Sequence, residues 1–170
     1  DANSENINEL QKLQKKFSNV QYKITLLSDD IKEYEFFKMK SGSSIFEEQT
    51  AYPRELEILK SSILSSYITT DIRNSDNNLI KIDAQGSEIK ILKGLGEFIK
   101  YFEIIILEVS LHKYNKNAPL FDEVMNFMSI KNFKLYDIYD LKRLGNNKSF
   151  LLQFDCIFIK KNSDLFNVKF

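Results

Sequence analysis

The sequence predicts an α/β domain built around a largely parallel sheet, and three observations predict it. Amphipathic helix patterns alternate with short strand patterns along most of the chain, which is the order found when helices cover a sheet. Residues 103–111 form a nearly continuous apolar run, as expected of a strand buried on both faces. Adjacent strand patterns at residues 133–139 and 150–160 predict an antiparallel closing pair at one edge.

The first part of the chain predicts two helices and three strands. Apolar residues recur every three or four positions over residues 4–17, which indicates an amphipathic helix. Alternating apolar and polar residues over 20–26 predict a half-buried strand. The aromatic run 34–39 predicts a second strand, and the residues around Leu56 fit a third strand or a helix. Residues 64–72 predict a short helix.

The middle of the chain has the clearest pattern. Residues 74–78 are a turn cluster of Asn, Ser and Asp. Residues 79–82 then predict a short strand that ends at Asp83. Residues 85–87 begin a helix, and Pro119 begins another with an apolar stripe. In such folds ligands bind at the carboxyl ends of strands, so the acids at strand ends are the first candidates for a site.

Length and charge exclude several classes of protein. The 170 residues predict one domain covering 1–170, since 43% hydrophobic and 28% charged residues are ordinary for a globular protein. Basic and acidic residues number 24 each. A net charge of zero argues against a nucleic-acid binder and against a polybasic membrane anchor. Cys156 is the one cysteine, so neither an internal disulfide nor a cysteine-based zinc site is expected.

No membrane span or secretion signal is expected from the sequence. The longest purely apolar run, residues 104–107, is far shorter than the about 20 residues that a membrane helix needs. The first residues are polar and acidic, so a cytoplasmic location is expected. The chain begins with Asp1 rather than Met, which indicates a processed or incomplete sequence.

Acids in the first half of the chain follow strand patterns and are candidates for nucleotide binding. Asp1, if a strand preceded it, would be placed to accept hydrogen bonds from ribose hydroxyls; helix capping is the alternative. Ser28 and Asp29 follow the next strand and could border an adenine ring, with a solvated turn as the alternative. The sequence suggests no metal ligand cluster.

The second half of the chain offers candidates for catalysis. Asp83 and Glu88 flank Gly86 at a strand-to-helix junction, which is either a site or a simple capping arrangement. Glu108 interrupts an apolar strand, so it either has a buried partner or faces the cleft. His112, the only histidine, is a plausible general base or a structural residue.

The segment IKIDAQGSEIKILKG, residues 80–94, resembles the signature segment of FkbM-type methyltransferases. Further segments resemble that family in the same order along nearly the whole chain. They are DANSENINELQKL at the start, ITLLSDD (24–30), SGSSIFEE (41–48), IIILEVSLHKY, PLFDEVMNFM and QFDCIFIKK (153–161). The resemblance implies a Rossmann-like class I sheet and an S-adenosylmethionine-dependent transfer of a methyl group to a hydroxyl, often on a sugar or natural product.

The resemblance also implies roles for the candidate residues. Asp1 would hold the ribose of the methyl donor, and Ser28 and Asp29 would border its adenine. Asp83 would lie near the methyl group. Gln85, Gly86 and Glu88 would shape that wall, while Glu108 and His112 would face the acceptor. Asp83 or His112 would be the base in an in-line displacement.

The chain departs from the family pattern in two respects. The family has an upstream strand and a glycine-rich loop around the methionine part of the donor, and nothing here matches them. The family also often has Asp where this chain has Ser65. The fold is therefore expected to be N-terminally incomplete. The alternative function is a non-catalytic α/β fragment without donor binding, with self-association through an exposed sheet edge.

Overall fold

The computed structural model describes residues 1–39, 42–75 and 77–167 and has a mixed α/β fold. Its strands are β1 (Leu26–Ser28), β2 (Glu33–Lys38), β3 (Glu55–Ile63), β4 (Asn78–Ile82), β5 (Phe102–Ser110), β6 (Phe133–Leu144) and β7 (Phe150–Lys160). Its α-helices are α1 (Ile7–Lys16), α2 (Thr70–Asn74), α3 (Glu88–Leu95) and α4 (Phe121–Ile130). The predicted α/β class is confirmed. Ser41 of the serine-rich segment and Asp76 of the turn cluster lie outside the described residues.

The described strands form two sheets rather than one. The first has the order β1-β3-β2, and the second has the order β4-β5-β7-β6. Parallel pairing joins β1 to β3 and β4 to β5, whereas the other three pairs are antiparallel. The antiparallel closing pair is confirmed. The largely parallel sheet is not found among the described strands, because β2 and β6 each pair with the next strand along the chain in antiparallel orientation.

Two local predictions differ from the structure. Residues 20–25 are irregular, because their backbone pairs with the first residue instead of another strand. The Thr25 N–H donates to the Asp1 carbonyl at 2.7 Å, and the Asp1 ammonium donates to the Lys23 carbonyl at 3.0 Å. The helix predicted over 64–72 is split into a 3-10 turn, Leu64–Tyr67, and α2. Thr69 separates them, since its side chain accepts the Ile72 N–H and so begins a new helix.

The core lies on the face of the second sheet that α3 and α4 cover. Ile105, Leu107 and Phe158 of that face are fully buried, together with Leu92 of α3 and Met128 of α4. This packing fixes the carboxyl ends of β4 and β5 relative to the loop before α3. In the part of the chain that the structure describes, no helix has the length and apolar character needed to cross a bilayer.

The alternation of side chains places charged residues on the other face of the second sheet. Glu108 of β5 and Asp155 of β7 are directly opposite each other in the strand pairing, so their side chains share a face. Both are almost completely buried. Cys156, the next residue, points to the core face as a small buried side chain, and burial raises the pKa of its thiol to about 12.

Candidate active site

A cavity of about 440 Å³ lies between β1 and β4, with carboxylates among the residues that line it. Asp1 and Asp83 both line it, although they are 82 positions apart in the sequence. Much of the remaining wall is apolar and comes from β1, β2, β4 and α3: Leu26, Leu27, Phe36, Ile80, Ile82 and Ile91. Its volume is in the range of small-molecule and cofactor sites. Asp1 and Asp83 therefore line the same cavity, whereas Glu108 is not part of its lining.

The carboxylate of Asp1 organises the start of the first helix. Its Oδ1 accepts the Asn3 N–H at 2.8 Å, and its Oδ2 accepts the side-chain amide of Asn6 at 2.7 Å. The helix-capping alternative is therefore part of its role. Each carboxylate oxygen keeps a second lone pair, so Asp1 can still accept a hydrogen bond from a ligand hydroxyl in the cavity.

The loop between β4 and α3 has an unusual backbone that only particular residues tolerate. Gln85 and Gly86 both have positive φ, at 50° and 101°. A Cβ on Gly86 would lie 2.5 Å from the Cβ of Ala118, so a glycine is required at this position. The Ser44 hydroxyl donates to the Gln85 carbonyl at 2.9 Å, which ties the serine-rich segment to this loop.

Glu88 stabilises the loop by accepting backbone hydrogen bonds, and its side chain does not line the cavity. Its Oε1 accepts the Ala84 N–H at 2.9 Å and the Gly86 N–H at 3.1 Å. Burial raises the pKa of this carboxyl to about 7, against the lowering effect of those hydrogen bonds. The side chain of Glu88 is thus engaged by the loop backbone and shapes the loop rather than the cavity lining.

Glu108 has buried partners rather than an open face toward the cleft. Its carboxylate forms an ion pair with Lys142 of β6 and accepts hydrogen bonds from the side-chain amides of Gln85 and Gln153. Gln85 also donates to Asp83 Oδ1 at 3.1 Å. Glu108 does not line the cavity, and Gln85 connects it to Asp83, which does.

A second buried carboxylate lies beside this group. Asp155 Oδ2 pairs with the Lys81 ammonium at 2.7 Å, and the same ammonium lies 4.0 Å from Asp83 Oδ2. Sequence reasoning missed Lys81, Lys142 and Asp155 as members of this cluster. The available signal was Asp155, an acid within the apolar strand residues 150–160, which requires a partner just as Glu108 does.

Ser28 and Asp29 are not brought to the cavity. Ser28 is fully buried, and its hydroxyl lies 2.9 Å from the Tyr34 hydroxyl. Asp29 pairs with the Lys90 ammonium at 3.0 Å. Burial raises the pKa of Asp29, but its hydrogen bonds with Lys90, Ser28 and the backbone, together with the Lys90 charge, outweigh burial and lower that pKa overall. Neither side chain lines the cavity, since Ser28 contacts Tyr34 of β2 and Asp29 contacts Lys90 of α3.

His112 also lies apart from the cavity lining. Its ring is exposed at the end of β5 and stacks on the Phe150 ring, with 4.2 Å between the ring centroids. Of the three predicted catalytic residues, only Asp83 lines the cavity.

The cavity suits a donor that carries a ribose and a positive charge. A carboxylate is present in two separate parts of its lining, and apolar side chains make up much of the rest. Carboxylates accept hydrogen bonds from ribose hydroxyls and favour a nearby cation. The residues present therefore fit S-adenosylmethionine in chemical character.

The fold and the site define an α/β protein with a small-molecule cavity and carboxylates near its strand ends. A family model described as the methyltransferase FkbM domain matches residues 7–135, which is more than half of the chain. The chain therefore belongs to the FkbM methyltransferase family, which confirms the resemblance seen in residues 80–94 and supports a methyltransferase. No curated protein and no solved structure matches the chain significantly.

Proposed function

We propose that this protein is an S-adenosylmethionine-dependent methyltransferase that methylates a hydroxyl of a sugar or other small-molecule acceptor. The observation that carries the proposal is the cavity whose lining includes both Asp1 and Asp83. Family membership supports the reaction class, and the cavity supports a bound donor. The donor and the acceptor are both part of the proposal.

The donor would be held between the two carboxylates. Asp1 would accept hydrogen bonds from the ribose hydroxyls with the lone pairs that Asn3 and Asn6 leave free. The side chains of Leu26 and Phe36 offer an apolar wall to the purine. Asp83 would lie nearest the positive charge and would form the polar wall on the reacting side of the cavity.

The chemistry at Asp83 is proton removal. When bound, S-adenosylmethionine supplies a methyl group on positively charged sulfur, and its transfer to a hydroxyl leaves a thioether and releases one proton. Asp83 Oδ1 is engaged by Gln85, whereas Oδ2 faces only the more distant ammonium of Lys81. Oδ2 is therefore the atom that would accept the proton from the acceptor hydroxyl.

The experiment is calorimetric titration of the full chain with S-adenosylmethionine, with adenosine as the control ligand. We expect S-adenosylmethionine to bind in the micromolar range and adenosine to bind more weakly, since adenosine lacks the charge that Asp83 would favour. Transfer from methyl-labelled donor to a panel of hydroxylated acceptors then identifies the acceptor. Absence of binding at millimolar S-adenosylmethionine would contradict the proposal.

The second candidate is a non-catalytic α/β protein of the same family. The observation that favours it is the engagement of Ser28 and Asp29 by Tyr34 and Lys90, which leaves neither side chain for an adenine. Under this alternative, S-adenosylmethionine produces no heat of binding and no acceptor is methylated. The same titration therefore separates the two functions.

A further inference from the structure

A series of polar contacts connects the β6–β7 hairpin to the cavity. Lys142 on β6 contacts Glu108 on β5, Glu108 accepts from Gln85, and Gln85 donates to Asp83 Oδ1 at 3.1 Å. Gln153 of β7 donates to Glu108 at 3.3 Å and to the Gln85 side-chain carbonyl at 3.4 Å. Only Asp83 of these residues lines the cavity.

Irregular backbone at Gln85 and Asp140 directs the side chains in this series of contacts toward one another. Gln85 has a φ of 50°, a conformation that costs free energy for a residue with a side chain. The β6–β7 pairing is irregular between Tyr139 and Lys142, and Asp140 has a φ of 49°. Such bulges change the direction of a side chain next to functional sites. Here the irregularity places Lys142 opposite Gln153, on the side of Glu108.

Glu108 depends on Lys142 for its charge. Its side chain is 1% exposed, and burial raises the pKa of its carboxyl while the Lys142 ammonium lowers it. The other charged groups that face it are carboxylates: Asp83 from the loop after β4, Asp155 from β7 and, more distantly, Glu88 of α3. Lys81 is paired with Asp155. Lys142 is therefore the cation that offsets the burial of Glu108.

We propose that Lys142 is a positioning residue for the reaction, acting on Asp83 through Glu108 and Gln85. Because Lys142 keeps Glu108 ionised, Glu108 holds the Gln85 amide, and the amide holds the Asp83 carboxylate in one orientation at the cavity wall. This inference rests on the proposed function for its catalytic meaning. The contacts that carry it are independent of any bound donor.

Removal of the ammonium tests the first link without any ligand. In Lys142→Met the pKa of Glu108, measured by NMR on carboxyl-labelled protein, should rise by about 1 unit or more, since a buried carboxylate loses its cation. The side-chain amide signals of Gln85 should lose their protection over the same pH range. Lys142→Arg should restore both, and Arg143→Met, on the neighbouring residue of β6, should change neither.

The second link is tested with two probes that differ in charge. S-adenosylmethionine is a sulfonium and S-adenosylhomocysteine a neutral thioether, so the ratio of their dissociation constants reports the carboxylate beside the sulfur. In Lys142→Met the S-adenosylhomocysteine dissociation constant divided by that of S-adenosylmethionine should fall about three- to tenfold at a pH where NMR finds Glu108 protonated, equivalent to a fraction of a charge interaction, and recover at the higher pH where Glu108 ionises. A merely structural defect would lower affinity for both probes alike at every pH.

The outcomes separate the positioning role from the proposed function. If neither probe binds the unmodified protein, the proposed function fails, while the NMR titration still decides the positioning contacts. If Glu108 and Gln85 titrate identically in the unmodified protein and in Lys142→Met, the positioning role is overturned. It is equally overturned if Asp83→Asn lowers the probe ratio and Lys142→Met leaves it unchanged at a pH where Glu108 is protonated in that variant.

Discussion

Two acidic segments of this protein follow strands and look alike in the sequence, yet they have different roles. After β1, the charge of Asp29 is neutralised by Lys90 at 3.0 Å. After β4, Asp83 stays 42% exposed and lines the cavity, with its nearest cation 4.0 Å away. The first segment joins a strand to a helix, whereas the second keeps a carboxylate available to a ligand.

The difference teaches that an acid at a strand end is a site only when no neighbour neutralises it. The segment after β1 is surrounded by cations and hydroxyls, since Lys32 and Tyr34 both contact Asp30. The segment after β4 uses a second acid, Glu88, to hold the loop through backbone N–H groups. Asp83 therefore does not hold the loop backbone, and its side-chain hydrogen bond is the one from Gln85.

The largest expected effect comes from breaking the joint between β1 and α3. A Cβ on Gly94 would lie 2.1 Å from the Ser28 carbonyl oxygen, so Gly94→Ala forces the helix away from the strand. We expect the free energy of unfolding to fall by about 3 kcal/mol despite the better helix propensity of alanine. Chemical denaturation measures it.

Gly96→Ala is the matched control for that substitution. Gly96 has a φ of 59° and a ψ of −133°, which is essentially a glycine conformation, and open space around its would-be Cβ, so backbone strain of about 1–3 kcal/mol is expected without a clash. Unchanged stability of Gly94→Ala would show that the β1–α3 joint is not close-packed.

The second effect is a pH dependence of stability that Glu88 produces. Its pKa is raised to about 7 in the folded state, so the folded protein binds this proton more tightly than the unfolded chain. The resulting stabilisation is complete below the unfolded pKa of about 4.5 and is lost as the pH rises through about 7. We expect a loss of about 2–3 kcal/mol over this window, relative to Glu88→Gln.

Denaturation curves at pH 4.5, 6 and 8 for both proteins measure this difference. The Gln side chain can still accept the two backbone N–H groups through its carbonyl, so the loop is retained as a control. A constant difference between the two proteins at all three pH values would contradict the buried state of Glu88.

The smallest effect is expected at the ion pair after β1, and its pH dependence has the opposite sign. Burial raises the pKa of Asp29, but its hydrogen bonds with Lys90 and Ser28 and the Lys90 charge together lower it overall. That contribution to stability is present above the unfolded pKa and is lost as the pH falls through the folded pKa. Because both side chains are partly exposed, Lys90→Met should cost less than about 1 kcal/mol at pH 7.

Thermal unfolding of Lys90→Met and of the unmodified protein between pH 3 and pH 7 measures this small contribution of the ion pair to stability. The two proteins should converge at the acidic end and differ at neutral pH. A larger difference at pH 3 than at pH 7 would rule out the pairing.

Local patterns predicted most of the strands and helices, whereas long-range contacts decided the rest. The apolar run 103–111 could only be a buried strand, and β5 covers Phe102–Ser110. Residues 20–25 alternate like a strand but have no strand to pair with, because Asp1 takes their hydrogen bonds. Periodicity does not reveal pairing partners, and for the same reason it did not reveal the two separate sheets.

The candidate site was predictable where the residue types are restrictive. Gly86 could be singled out because the turn after β4 requires glycine, and Asp83 because it is an acid that directly follows a strand. The partners Lys142 and Asp155 could not be placed, since they reach the site from β6 and β7 through pairing registers that depend on a bulge. Whether an acid is open or neutralised depends on such partners, so the sequence could not distinguish Asp29 from Asp83.

The most direct test of the central claim compares the two acids in one titration. We expect Asp83→Asn to weaken S-adenosylmethionine binding about tenfold, the worth of about 1.4 kcal/mol, since it removes the open carboxylate. Asp29→Asn should leave the affinity within about twofold, because that carboxylate already pairs with Lys90. Equal affinities for the two variants, or a larger loss in Asp29→Asn, would contradict the assignment of the cavity beside Asp83 as the donor site.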